Sequence, residues 1–169
     1  MESLHFFLVA GVVTTAIGAW TDVRTGHIPN RLTLATIVWV TVAHVAVVWI
    51  SIRSIGPAFA ALLSAMGGAV ACGAVPLLLY RRSAMWGGDV KLFAAVGAAW
   101  GAPLGMEAQL YSFAFGALYA LGWLVYSIAV DSASSPGSGV RQVTMSSIRF
   151  APAIFVGTTA AAYLQWVRP

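Results

Sequence analysis

Two of the chain's five carboxylates stand where they can act together. Asp22 closes the first apolar run, in the string AWTDVRTGHIPNRLTL, and Asp89 opens the fourth, in MWGGDVKLFAAVGAAWG. The other three, Glu2, Glu107 and Asp131, fall at run ends and read as solvated helix termini. Two carboxylates brought together in a poorly hydrated site resist double ionisation and tend to share one proton. The ionised member can take a proton from water while the protonated member polarises a peptide carbonyl. That chemistry hydrolyses a peptide bond with no metal and no nucleophilic side chain. Near Asp22, Pro29 stops the loop from continuing as helix and Asn30 is a good N-cap for the second run. Near Asp89, Gly87 and Gly88 lack Cβ atoms, so another chain can approach the backbone there, as a protease binding an extended substrate requires. The competing reading is plainer: Asp22 and Asp89 are helix-end carboxylates answered by Arg24 and Lys91.

The elements that must position them are membrane helices. The chain has 169 residues, 60% hydrophobic and 8% charged, and a mean hydropathy of +0.86. Soluble domains carry about 25% charged residues. A spanning helix needs roughly 20 mostly apolar residues, and six runs approach or meet that, at about 3–20, 32–52, 57–80, 90–105, 108–130 and 149–167. The expected fold is all-α, a polytopic bundle of six transmembrane helices forming one membrane-embedded domain over 1–169. The fourth run is short and interrupted by Gly97, Gly101 and Pro103, so it suits a helix buried in protein rather than facing lipid. The glycines at 97, 101 and 105, and Ser64, Gly68 and Cys72 in the third run, make bare faces for close helix contact. Such faces serve packing within one chain or between copies, so a homo-oligomer is compatible with them.

A net charge of +4 can suggest nucleic acid. Here the basic residues sit one to three at a time in short loops, which excludes that reading. Arg24, Arg31, Arg81, Arg82, Lys91, Arg141 and Arg149 follow the odd-numbered runs, against Arg53 and Arg168 on the other side. Positive loops stay inside, so both aspartates are expected at the cytoplasmic face of the inner or plasma membrane, with both termini outside. The first run lacks a basic start and a clear cleavage site, unlike a signal peptide. The stretch Asp131–Gly139, DSASSPGSG, reads as a flexible loop.

At the two aspartate segments the sequence resembles the type IV prepilin peptidase family, the GxGD-type membrane aspartic proteases. The matching residues are Asp22 with Ile28, Pro29, Asn30 and Leu32–Thr33–Leu34, then Gly88–Asp89–Val90–Lys91–Leu92, and more weakly Phe150–Ala151–Pro152–Ala153. The resemblance implies an enzyme that removes the short basic leader of pilin-like precursors, cutting after a glycine on the cytoplasmic side. It carries the catalytic positions onto Asp22 and Asp89, with no cofactor or metal. The pattern's first glycine falls on position 86, which is Trp86 here. Either Gly87 supplies the lost freedom or the tryptophan anchors the loop at the interface. With a single cysteine, Cys72, the chain lacks the paired-cysteine region of the larger members, which also methylate the new N-terminus. It is similar instead to the short peptidases of tight-adherence (Flp) pili and archaeal preflagellins, so cleavage without methylation is expected.

Cys72 lies in an apolar stretch and reads as a small buried side chain. His44 falls inside the second run, where an ionisable group is a functional candidate. The plainer reading is a neutral histidine bonded within the bundle. His27 lies beside Asp22, His5 reads as interfacial, and Trp20, Trp49, Trp100 and Trp166 mark run ends as an aromatic belt does. One rival is a small transporter or channel component using Asp22, His44 and Asp89 as a proton path. The other is a non-catalytic pilus assembly factor, for which Trp86 is the hint. A proton path predicts acids spread through the membrane depth, whereas these two share one face.

Overall fold

Long apolar runs without water to solvate their backbones satisfy every N–H and C=O internally only as helices or closed barrels, and this chain takes the first solution. The computed structural model describes residues 2–134 and 149–167, all of whose regular structure is helical. The elements are α1 (Glu2–Thr25), α2 (Asn30–Ile52), α3 (Ile55–Arg81), α4 (Gly87–Ser134) and α5 (Ala151–Val167). The first four are long and apolar enough to cross a membrane, and α5 has 17 residues. Large apolar side chains such as Ile50, Val70 and Leu110 point outward, as they do in a multi-pass membrane protein whose outer solvent is hydrocarbon.

Among the described residues, the expected six runs appear as five helical elements. The fourth and fifth runs belong to one element, α4, which is broken at Gly101, where φ is 74° and ψ is 173°. A left-handed φ of this kind is open to glycine at little cost. The second limb of α4 doubles back along the first. A Cβ at Gly105 would lie 3.1 Å from Gly97 Cα, and the Phe93 and Phe113 rings are 5.5 Å apart. The first limb becomes the central rod of the bundle, with Leu92, Phe93, Ala95, Val96, Ala98 and Ala99 buried. The two small-residue faces expected from sequence meet each other inside this chain: Gly68 and Gly97 touch backbone to backbone, and a Cβ at Gly105 would sit 2.6 Å from Cys72 Sγ. Asp131–Ser134 continue α4 rather than beginning a loop. The remainder of that expected loop, with Arg141, lies outside the described residues, as does Arg168.

Two prolines shape the middle of the bundle, and each frees a carbonyl one turn back because it has no N–H to donate. Pro76 leaves Cys72 O without its helical donor, and Gln109 Nε2 donates to it at 2.8 Å. Pro103 does the same to Ala99 O, and His44 Nε2 lies 2.9 Å from it. Since a carbonyl only accepts, that ring nitrogen is the donor. His44 also stacks on Phe7, with ring centroids 3.6 Å apart. His44 is therefore bonded within the bundle. Trp100 departs from the expected belt. It is 8% exposed and donates its indole N–H to Phe7 O at 2.8 Å, whereas Trp20, Trp49 and Trp166 are exposed. Hydroxyl pairs complete the core: Thr15 with Thr158 at 2.9 Å joins α1 to α5, and Thr14 with Thr36 at 3.2 Å joins α1 to α2.

Candidate active site

Asp22 sits on the last turn of α1. That turn closes where Gly26, at φ 69°, donates its N–H to Asp22 O at 2.8 Å, the left-handed helix end glycine favours. Pro29 follows in extended backbone (φ −63°, ψ 129°) and is itself the N-cap of α2. Asn30 is the first helical residue and not the cap. Its side chain instead accepts a hydrogen bond from Lys91 Nζ at 2.7 Å, so the loop after Asp22 is tied to the helix that carries Asp89.

Asp89 lies in the first turn of α4, 3% exposed, with its N–H bonded to Trp86 O at 3.1 Å. Asp22 is half-buried and within electrostatic reach of Asp89. The other charged or titratable groups acting on Asp22 are Arg149 and His27. The competing reading placed Arg24 and Lys91 against the two carboxylates. Arg24 lies over the Trp20 ring, 4.1 Å from its centroid, and Lys91 serves Asn30.

Gly87 and Gly88 do not form an open backbone edge. They are helical, and the space beside them is taken by this chain's own side chains: a Cβ at Gly88 would lie 3.2 Å from Ile28, and one at Gly87 would lie 3.4 Å from the Tyr80 ring. Ile28 is buried there. The missing Cβ atoms let the Asp22 loop press against the start of α4. Trp86 needs no glycine-like backbone, since its φ is not positive. Its ring is 61% exposed and borders a cavity of about 820 Å³ that Asp89 also lines, together with Tyr80, Phe113, Gly116 and Phe150. A peptide segment entering between the end of α3 and the second limb of α4 would meet the buried carboxylate there.

A comparison with known protein families matches residues 7–121 to the type IV leader peptidase family. The chain belongs to the type IV leader peptidase family. The comparisons with curated proteins and with solved structures gave no match. Membership makes the protein a peptidase, a hydrolase of prepilin-like substrates. The matched span contains Asp22, Pro29, Asn30, Gly87, Gly88, Asp89 and Lys91, so this leader peptidase carries both carboxylates inside the family region. Sequence reasoning treated Arg149 as a topology charge only. Its Nη1 donates to the carbonyls of Asp22 and Val23, a contact signalled only by its place just before the Phe150–Ala153 match.

Proposed function

We propose that the whole chain acts as one membrane-embedded aspartic endopeptidase that removes the basic leader from prepilin-like precursors at the cytoplasmic face of the inner or plasma membrane. The observation that carries this reading is the pairing of buried Asp89, at the wall of the cavity, with Asp22 from a different helix. A pair holding one proton supplies both functions that hydrolysis needs. The ionised carboxylate removes a proton from water, and the resulting oxygen attacks the carbonyl carbon. The protonated carboxylate hydrogen-bonds the carbonyl oxygen as it gains charge. Collapse of the tetrahedral intermediate breaks the C–N bond, and the nitrogen leaves as an amine carrying the transferred proton. A precursor held by its own hydrophobic helix presents its leader at the depth of both aspartates. His44, the middle member of the proton-path reading, is bonded to Ala99 O and stacked on Phe7, which favours a packing role for it.

The test is co-expression with a pilin precursor from the same genome, followed by mass measurement of that precursor. Wild type removes the leader without adding a methyl group, and Asp22→Asn and Asp89→Asn each leave it on. An uncut precursor with correctly inserted wild type, and again with Trp86→Gly, would transfer the protein to the assembly-factor reading. The shared proton also requires a rate that falls on both sides of an optimum pH. A monotonic profile for cleavage in membranes would count against the pair.

A further inference from the structure

We infer that Arg149 is a positioning residue for the Asp22–Asp89 pair, an inference that rests on the aspartic-dyad reading above. Arg149 stands immediately before α5 and reaches back to α1. Its guanidinium donates to the main-chain carbonyls of Asp22, which also accepts from Gly26 N–H, and of Val23, at the end of α1. The same group covers the turn, since a Cβ built at Gly26 would lie 3.7 Å from Arg149 Nη2. The next residue faces the other carboxylate's helix. Phe150 packs 6.5 Å from the Phe93 ring and 5.8 Å from the Phe113 ring, centroid to centroid. Ala151 and Ile154 behind it are fully buried. Two adjacent residues therefore hold both halves of the site, Arg149 on the backbone of Asp22 and Phe150 on the helix of Asp89.

Charge adds to geometry. A pair with one proton carries one negative charge, and a poorly hydrated site favours a cation opposite it. The groups that face Asp22 are Asp89 from α4, His27 from the α1–α2 loop and Arg149 from the approach to α5. Of these, Arg149 alone is a permanent cation. It fixes the end of α1 through its hydrogen bonds and balances the pair through its charge.

Glutamine and lysine separate the two contributions. Arg149→Gln keeps donors and loses the charge, while Arg149→Lys keeps the charge and loses the planar fork. Cleavage rates on a purified precursor are measured across pH, with membrane-inserted protein quantified for every variant. Arg149→Gln should lower kcat about ten- to a hundredfold, the scale of a small misplacement of catalytic groups, with KM unchanged and the pH profile displaced. Arg149→Lys should lose less and keep the wild-type profile. If the glutamine variant does not accumulate, the lysine variant decides together with its thermal unfolding in detergent: a reduced kcat with wild-type melting and a wild-type profile supports the inference, and a loss that tracks lowered melting, a displaced profile or an unchanged kcat overturns it. Wild-type kcat and profile in Arg149→Gln would overturn it, and so would equal losses in both variants with unmoved profiles, the mark of a structural strap. Asp22→Asn and Asp89→Asn in the same series separate the failures. If they abolish cleavage while Arg149→Gln behaves as wild type, the dyad stands and the Arg149 assignment falls. A wild type that leaves the precursor uncut overturns both.

Discussion

Asp89 is held by the start of its own helix, whereas Asp22 stands on the last turn of α1, and the loop that follows is pressed against α4 by Ile28 on Gly88 and tied to it by the Lys91–Asn30 bond. A Cβ at Gly88 would already lie 3.2 Å from Ile28, so Gly88→Val must push that loop away and draw Asn30 off Lys91. Gly88→Val should therefore cut cleavage at least about tenfold while the protein still inserts. Gly88→Ala should fall between valine and wild type. Adding Ile28→Ala to Gly88→Val should restore part of the rate, because contacting residues couple in a double-mutant cycle. If the double variant is as slow as Gly88→Val alone, the contact is not what positions Asp22. The sequence showed that Gly88 lacks a side chain, but not which side chain fills the space. Asn30 was misread for a related reason. A short polar side chain before a helix suits a cap and suits an acceptor for a distant lysine equally well, and Lys91 is 61 residues away.

Helix spacing was legible because it is local. The four-residue intervals at Gly97, Gly101 and Gly105 and at Ser64, Gly68 and Cys72 predicted close-packing faces, and these faces meet. Local pattern did not show that Gly101 turns two runs into one reversed element, nor what repairs the carbonyls opened by Pro76 and Pro103. The repairing side chains come from 37 and 55 residues away. Those repairs carry a stability prediction. Gln109→Leu leaves Cys72 O buried without a donor, which costs about 1–3 kcal/mol. Pro76→Ala returns the missing N–H inside a continuous helix, so Gln109→Leu with Pro76→Ala should recover most of that loss. Thermal unfolding in detergent checks both. Equal melting of the single and double variants would show that Gln109 acts by packing and not by donating to Cys72 O.

At the scale of the whole molecule, the bundle has two ends, and the contacts sort the loops between them. Asp22, Asn30, Lys91 and Arg149 gather at one end through the Lys91–Asn30 bond and the Arg149 bonds to α1. His5 stacks on Trp166 at the other, with ring centroids 4.1 Å apart, so α1 starts where α5 finishes. The aspartate end also holds Arg24, Arg31, Arg81 and Arg82, while Arg53 lies at the opposite turn. Basic loops remain on the cytoplasmic side, so leader removal should take place there. Thiol labelling tests this cleanly because Cys72 is fully buried. Ser54→Cys and Ser83→Cys are exposed reporters, one for each end. A membrane-impermeant reagent on intact cells should label Ser54→Cys and spare Ser83→Cys, and permeabilised cells should label both. The inverse pattern would put the carboxylates outside and overturn cleavage at the cytoplasmic face. Labelling of both in intact cells would mean that the helices do not separate two compartments, and the depth argument for cleavage would go with them.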